Sequence, residues 1–258
     1  MADATYVDLL GTDILLWHDA SDAASLWTDT AETTNVSDGG IVLSWSQQSS
    51  AALDLSYYVA ANGPTYRANY SATGYPGLQF DGTNDLLRTL GTGLSAGQTL
   101  YSICCSTFIS GTTVWNRGGG TSYVRQLSGN GMQTAVGTLG GSSSVARIVT
   151  CMVCRTNHSV VDSLLSSASS ATNYQSGTLG IPIVLGAFEG SLNSFSQFGA
   201  VVFHEIIWVA NTCEWGQVIR AAKVMRNKWG VTDPNPMPQA AAGGGGVRMV
   251  NIRGGADQ

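Results

Sequence analysis

The chain has 258 residues, a length that suits one large β domain better than two small ones. Only 11% of the residues are charged while 32 are glycine, which excludes coiled coils and most helical folds, and 43% hydrophobic residues with seven Trp and nine Tyr exclude bulk disorder. The net charge of −5 argues against a nucleic-acid partner, because no basic surface is available to hold a phosphate backbone.

Short runs of β-branched, aromatic and small residues, separated by Gly, Ser, Asn and Asp clusters, predict an antiparallel β sandwich or barrel with many strands. In residues 100–109 the odd positions are mainly apolar and the positions between them are small, so one face of this strand should face a core. The predicted strands are 14–17, 41–46, 77–80, 100–109, 123–127, 146–155, 181–187 and 200–209.

One amphipathic helix is predicted after the last strand. Both alternating sets of strand 200–209 are apolar except for His204 and Glu205, so another element must cover its outer face. Asn211 and Glu214 form a start like a capping box, and Gly230 is a C-terminal stop. The stripe that should dock on the strand consists of Trp215, Val218, Ile219, Ala222, Met225 and Trp229.

The five cysteines predict buried free thiols rather than a disulfide framework, because their number is odd and their spacing is irregular. Cys151 and Cys154 have the spacing of a metal or redox pair, but on the predicted strand 146–155 they project to opposite faces. The start lacks a secretion signal, and no apolar run approaches the roughly 18 residues of a membrane span. We therefore expect a protein made in the cytoplasm that does not insert into membranes.

The composition changes after Gly230, which predicts a core domain over 1–232, a Pro/Ala/Gly linker over 233–246 and a terminal segment over 247–258. The terminal segment is strand-like and carries two arginines. It could add to the sheet edge of another protein, fray, or fold back on its own domain. The residues expected to anchor it to a partner are Val247, Arg248, Met249, Val250, Ile252 and Arg253.

Four stretches resemble a family of concanavalin A-like, LamG-like domains that is common in bacteriophage virion proteins. Residues 14–29, ILLWHDASDAASLWTD, resemble its opening signature LWLDASDASTLW, and 62–66 with 77–87, NGPTY and GLQFDGTNDLL, resemble its second block. Residues 183–187 and 199–208 are similar to two of its strands, and 227–230, NKWG, to its closing helix. The resemblance covers about residues 13–231 and implies an all-β, antiparallel, two-sheet jelly-roll sandwich with one C-terminal amphipathic helix.

Some relatives of this family bind calcium, which makes Asp81, Asn84 and Asp85 weak calcium candidates. Three oxygen-bearing side chains fall short of the 6–8 ligands that calcium needs, so we predict no metal or other cofactor.

No pattern predicts catalysis. A jelly-roll glycosidase needs two placed carboxylates, and the E-x-D-x-x-E strand of laminarinase-like enzymes does not occur. Glu205 is the sole carboxylate in a strong strand, and its match to the family pattern suggests a structural role. No serine nucleophile motif or phosphate loop is present. We therefore expect that the chain is not an enzyme.

Carbohydrate binding requires an aromatic platform beside planar hydrogen-bonding groups. One stretch of the chain combines both, although its aromatics would equally suit hairpin packing. The candidate residues are Trp115, Asn116, Arg117, Tyr123 and Arg125.

The resemblance and the terminal segment together suggest a bacteriophage virion structural protein, a capsid decoration or head-fibre subunit on the virion surface, possessing at most weak glycan binding. Its expected partners are other virion proteins and copies of itself, with host-surface glycan as a further candidate. The alternatives are a tail or fibre adhesin for host polysaccharide and a glycoside hydrolase of jelly-roll fold.

Overall fold

A computed structural model describes residues 5–49, 54–57, 63–89, 100–111, 115–117, 122–127, 131–134, 137–139, 150–155, 158–161, 164–166, 183–191, 194–196, 198–210 and 212–231. Between residues 115 and 166 the description is of backbone strands and their pairing.

Nearly all of the regular structure in these residues is β. The helices are α1 Tyr6–Leu10 and α2 Trp215–Lys228, with 3-10 turns at Gly11–Asp13 and Ala23–Ser25. The strands in chain order are β1 Ile14–Asp19, β2 Leu26–Trp27, β3 Ser44–Trp45, β4 Leu55–Ser56, β5 Thr65–Tyr70, β6 Tyr75–Asp81, β7 Leu87–Thr89, β8 Leu100–Gly111, β9 Trp115–Arg117, β10 Ser122–Leu127, β11 Gly131–Thr134, β12 Gly137–Leu139, β13 Thr150–Arg155, β14 His158–Val161, β15 Leu164–Ser166, β16 Ile183–Leu185, β17 Phe188–Ser191, β18 Ser194–Ser196 and β19 Gly199–Ala210.

The strands form two large antiparallel sheets and a small hairpin, which confirms the all-β two-sheet prediction. Sheet A has the order β15-β14-β13-β8-β19-β6-β5, and β1 pairs with the free end of β19 beside β6. Sheet B has the order β12-β11-β10-β9-β16-β7-β4-β3-β2. The hairpin β17-β18 brings Phe195 against a small apolar cluster that includes Val184 on the outer side of sheet B.

The main core lies between the two sheets. Sheet B contributes Trp45, which is fully buried, and sheet A contributes Phe80 and Phe203, whose rings meet edge to face with 5.4 Å between centroids. Such pairs stabilise a core beyond the area they bury. Many short strands separated by turns are the pattern from which the sequence predicts a sandwich, and β19 is buried on both faces.

A second core lies on the outer side of sheet A, beneath α2. There Val218, Met225 and Trp229 of the helix are buried against apolar residues of β8 and β19, with Leu10 of α1 beside them. This confirms in part the prediction that the helix covers strand 200–209: Val218, Ala222, Met225 and Trp229 of the predicted stripe are buried, Ile219 is partly exposed, and the side chain of Trp215 lies outside the described residues. The capping box forms one turn later than predicted, between Glu214 and Gln217 rather than between Asn211 and Glu214. Gly230 follows the helix with a φ of 61°, as predicted.

The segment with the Cys151 and Cys154 pair is the strand β13, as predicted. The side chains of Cys104, Cys105 and Cys213 are buried and are not in disulfides.

Gly186 is a position where the sandwich requires glycine. Its φ is 81°, and a Cβ atom there would lie 2.2 Å from the ring of Phe80 and 2.8 Å from the carbonyl oxygen of Asp85. We expect Gly186→Ala to lower the free energy of unfolding by about 2–5 kcal/mol, because it adds an overlap to the backbone strain. Urea unfolding measures the change.

Gly11→Ala is the matched control. Gly11 also has a positive φ, 54°, but a Cβ atom there meets nothing within 4 Å. Gly11→Ala should therefore lower the free energy of unfolding only by the cost of the backbone strain, about 1–2 kcal/mol. Equal losses in the two variants would contradict the role of Gly186 in packing against Phe80.

Candidate functional site

The most densely connected polar group in the described structure is the carboxylate of Glu205, which lies under α2 and is fully buried. Trp229 and Trp17 donate their indole N–H groups to it at 2.6 and 2.8 Å, and the hydroxyl of Tyr6 donates at 3.2 Å. The ammonium group of Lys228 lies 3.1 Å from Glu205 Oε2. Donors from α1, β1 and α2 therefore converge on one residue of β19, and we call these five residues the Glu205 hub.

A bulge in β19 makes the hub possible. The pairing with β8 shifts between Phe203 and Glu205, so His204 is an extra residue on β19. Phe203 faces the core between the sheets, whereas both His204 and Glu205 contact Trp229 under the helix. Bulges redirect side chains in this way, and this one places two consecutive polar residues on one face.

The electrostatics of the hub are those of a buried charge with partial compensation. Burial is the largest effect and raises the pKa of Glu205, the nearby charge of Asp19 raises it further, and Lys228 and the two indole groups lower it. Lys228 also pairs with Asp19, whose side chain is 12% exposed, so its ammonium group links the two carboxylates. Glu205 has no exposed surface that a substrate could contact, and we therefore assign it a structural role.

The two histidines whose side chains are described are also internal. Burial lowers the pKa of His18 to about 3 and that of His204 to about 4, so both are neutral at physiological pH. His204 donates from Nδ1 to the carbonyl oxygen of Pro76 at 2.6 Å, and its Nε2 accepts from the hydroxyl of Thr107 at 2.8 Å. His158 lies on β14, where the structure describes the backbone only.

The outer face of sheet B carries a polar row, in contrast to the outer face of sheet A. Strand pairing aligns Trp27 with Ser44, Ser44 with Ser56, and Ser56 with Arg88. The row continues through Val184 to β9 and β10. Its alternate positions, such as Trp45 and Leu55, face the core between the sheets.

This row divides the five carbohydrate-binding candidates. Asn116 pairs with Tyr123, and both fall in the outer row, on the same face as Arg125. Trp115 and Arg117 pair with Leu185 and Ile183, which face the core, so they occupy the opposite register. The backbone therefore brings three of the candidates to one face and two to the other; their side chains lie outside the described part of the structure.

The other end of the row presents a cluster that the sequence analysis does not single out. We call Asp22, Trp27, Ser46, Gln47, Gln48 and Asp54 the Trp27 patch; all of them are partly exposed. Trp27 donates from Nε1 to the hydroxyl of Ser46 at 2.7 Å, and the Nε2 amide of Gln48 donates to Asp22 at 2.8 Å. The patch combines an indole ring, two side-chain amides, a hydroxyl and two carboxylates.

Glu32 lies beside this patch and has an unusual backbone conformation. Its φ is 55°, the only positive φ of a non-glycine residue among those described. Its Oε1 accepts a hydrogen bond from the hydroxyl of Ser44 at 3.0 Å, which draws the turn over the outer face of sheet B. Burial raises the pKa of Asp54, the charge of Glu32 raises it further, and the backbone N–H of Gln47 lowers it by donating at 3.1 Å. The sequence indicates this cluster only weakly, through the alternation of Ser44, Trp45 and Ser46. Its hydrogen-bonded partners, such as Trp27 and Ser46, are far apart in sequence.

The calcium candidates lie in one turn after β6. Asp81 Oδ1 accepts from the backbone N–H groups of Thr83 at 2.7 Å and Asn84 at 3.2 Å, and Asp85 accepts from the N–H of Asp81 at 2.9 Å. Burial raises the pKa of Asp85 to about 6. These carboxylates organise the turn, and in the described part of the chain no three His, Cys, Asp or Glu side chains are grouped as metal ligands.

The proposed anchoring residues, Val247 to Arg253, lie outside the described residues. Among the helices that the structure describes, none is both long and apolar enough to cross a bilayer.

Comparisons with known proteins support the fold, and the matching structures described here are carbohydrate-active enzymes. The chain matches no protein-family model, and no curated protein matches it. Solved structures do match: a Trypanosoma rangeli sialidase with a TM-score of 0.53 and 9% identity, over 85% of this chain and 34% of the sialidase. A GH54 α-L-arabinofuranosidase matches with a TM-score of 0.58 and 10% identity, over 85% of this chain and 64% of the enzyme. Another arabinofuranosidase matches with a TM-score of 0.52 and 10% identity, over 81% of this chain and 58% of the enzyme.

These matches show the fold, and they concern part of each enzyme, because the chain spans between about a third and 64% of their lengths. They contradict the prediction that the chain is not an enzyme. That prediction rested on missing sequence motifs, whereas the matching structures named above are a sialidase and two arabinofuranosidases. The search for paired carboxylates in one strand could not detect Glu32 and Asp54, which come together from separate loops.

The Glu205 hub predicts a defined pH dependence. The pKa of Glu205 is raised above its ordinary 4.5 in the folded chain, so protonation favours folding; this contribution is fully present below pH 4.5 and is lost as pH rises through the folded pKa. The free energy of unfolding of the parent, minus that of Glu205→Gln, should therefore decrease from pH 4 to pH 8. Chemical unfolding at each pH measures the difference.

Two further variants serve as controls for this pH dependence. Glu205→Leu leaves Lys228 and two indole donors without their acceptor and should cost about 3–5 kcal/mol at pH 7. Lys223→Gln, on the exposed side of α2, should change the free energy of unfolding by less than about 0.5 kcal/mol at every pH. A pH-independent difference between parent and Glu205→Gln would contradict the raised pKa.

Proposed function

We propose that the chain is a bacteriophage virion protein whose β sandwich has the jelly-roll topology, is displayed on the virion surface and contacts host-surface carbohydrate. Its terminal segment after residue 232 holds it to other virion proteins, and copies of the chain associate with one another. Each part of this proposal has a different support.

The virion assignment is supported by the way in which the four family-like stretches meet. Trp17 and Asp19 of the first stretch contact Glu205 and Lys228 of the third and fourth. Phe80 of the second stretch packs on Phe203 of the third. Residues separated by up to about 200 positions are thus linked by direct contacts, which is the relation expected if the stretches belong to one family pattern. This convergence is the observation that carries the proposal.

Carbohydrate contact is supported by the fold comparison and by the polar outer face of sheet B. Among the matching structures, a T. rangeli sialidase is solved with sialic acid, and an arabinofuranosidase with arabinofuranosyl-α-1,2-xylobiose. The outer face of sheet B offers an aromatic ring with hydroxyl, amide and carboxylate groups around it, which suits a polyhydroxylated ligand.

The anchoring role rests on the sequence. Residues 233–246 would span about 50 Å at full extension, enough to separate a displayed domain from the surface that holds it. The following segment, 247–253, combines four apolar residues with Arg248 and Arg253. A strand of this composition can add to the sheet edge of a partner through main-chain hydrogen bonds.

Deletion of 233–258 tests the anchor. We expect the shortened chain to fold with an unchanged melting temperature and to be absent from purified particles when supplied in trans to a phage that lacks the full-length chain. Deletion of only 254–258 is the matched control and should leave incorporation intact, because it removes none of the anchoring residues. Normal incorporation of the 233–258 deletion would contradict the proposal.

A second candidate function is glycoside hydrolysis, which the solved structures favour. The partly exposed carboxylates of Glu32 and Asp54 are the pair to test, because a raised pKa is typical of a general acid and the charge of Glu32 contributes to raising the pKa of Asp54.

If the chain is a hydrolase, Asp54→Asn and Glu32→Gln should each lower the rate of release of reducing sugar from a cleaved polysaccharide by about 100-fold or more. Asp38→Asn, beside β5 on sheet A, is the matched control and should retain the parental rate. Equal rates for parent and both carboxylate variants would exclude this pair as catalytic residues.

A further inference from the structure

The Trp27 patch gathers its residues at one end of the outer face of sheet B. Strand pairing puts Trp27 beside Ser44, and its indole N–H donates to Ser46 two positions further along. The backbone N–H of Gln47 donates to Asp54 Oδ1, and that of Gln48 donates to the carbonyl oxygen of Trp17. Trp27 is therefore held by main-chain pairing within sheet B, and Gln48 by a main-chain hydrogen bond to sheet A.

Two hydrogen-bonding groups in the patch are left unused by the described residues. The Nε2 amide of Gln47 is shielded from solvent and has no hydrogen-bond partner, although its Oε1 accepts from Ser49 at 2.7 Å. Asp54 uses Oδ1 for the N–H of Gln47 and leaves Oδ2 available. An unpaired shielded donor is costly and uncommon in folded proteins. The Gln47 amide can donate to a ligand hydroxyl that reaches it, and Asp54 Oδ2 can accept from one.

The charges around the patch select among ligands. Asp22 and Asp54 lie within it, and Glu32 lies beside it, close enough for its charge to raise the pKa of Asp54. Arg88 lies further along the row, beyond Ser44 and Ser56. A carboxylate or phosphate on the ligand would meet these three acidic side chains and be repelled. A ligand with hydroxyl groups and no negative charge would not.

We infer that the Trp27 patch is the carbohydrate-binding site of this chain and that it takes neutral sugar units, with the ring of Trp27 against the apolar C–H face of a sugar and Gln47 and Asp54 on its hydroxyl groups. This inference rests on the carbohydrate contact proposed above and adds its location and the charge class of its ligand. An aromatic surface with a few fixed polar groups is the usual composition of small-ligand sites.

The inference is tested by affinity electrophoresis of the full-length chain through gels that contain a neutral polysaccharide (dextran, mannan or galactan) or an anionic one (polysialic acid or polygalacturonate). We expect at least one neutral polymer to retard the chain and neither anionic polymer to do so. Trp27→Ala and Gln47→Ala should each weaken the retardation at least tenfold in apparent Kd. Asn227→Ala, an exposed amide on α2 across the sandwich, should bind as the parent does.

Each outcome decides a different point. Retardation by a neutral polymer that both patch variants retain would overturn the location and leave carbohydrate binding intact. Retardation by anionic polymers alone would overturn the charge class. Absence of binding to every polymer would overturn both this inference and the carbohydrate part of the proposed function. Thermal melts establish that the variants fold; if Trp27→Ala does not, Gln47→Ala decides, since its side chain makes only one hydrogen bond among the described residues.

Discussion

The outer side of sheet A depends on one buried carboxylate. Glu205 sits where water cannot reach it, and an ionised carboxylate in such a place is tolerated only when several donors surround it. Those donors come from α1, from β1 and from both of the last two residues before Gly230. The carboxylate therefore specifies which elements must meet and in which orientation, since an indole N–H or an ammonium group placed elsewhere would leave it unpaired. The apolar contacts of Val218 and Met225 add stability without such directional demands.

The sequence predicts this arrangement in part. The apolar character of strand 200–209 and the apolar stripe on the helix both indicate that the helix covers the strand, because the periodicity of apolar residues reflects which face is buried. The bulge at His204 is not predictable in the same way, since an inserted residue leaves no trace in composition, and a strict alternation would place His204 and Glu205 on opposite faces. The predicted helix start is one turn early: Asn211 and Glu214 match the residue types of a capping box, but the box forms between Glu214 and Gln217.

The candidate site was less predictable than the fold. The carbohydrate-binding prediction for residues 115–125 depends on aromatic and polar residues that are adjacent in sequence. Adjacent residues of a strand lie on opposite faces of the sheet, so the register divides this set between two faces. Only Trp27 of the Trp27 patch lies in a strand, the other members come from the segments next to β2, β3 and β4, and nothing in the local sequence links Asp54 to Trp27. Sites built from residues of separate segments become visible only when the tertiary contacts are known, and the same holds for Glu32 and Asp54.

The two outer faces therefore have different roles. The outer side of sheet A is closed by α2, and its polar groups are consumed by one another, so a ligand has no access to Glu205 or His204. No described helix lies over sheet B, and the Trp27 patch at one end of its outer row contains the partly exposed residues Trp27, Gln47 and Asp54. The last described residue, Val231, follows α2 on the sheet A side. If the terminal segment holds the chain as proposed, attachment on that side leaves the outer face of sheet B accessible to a ligand.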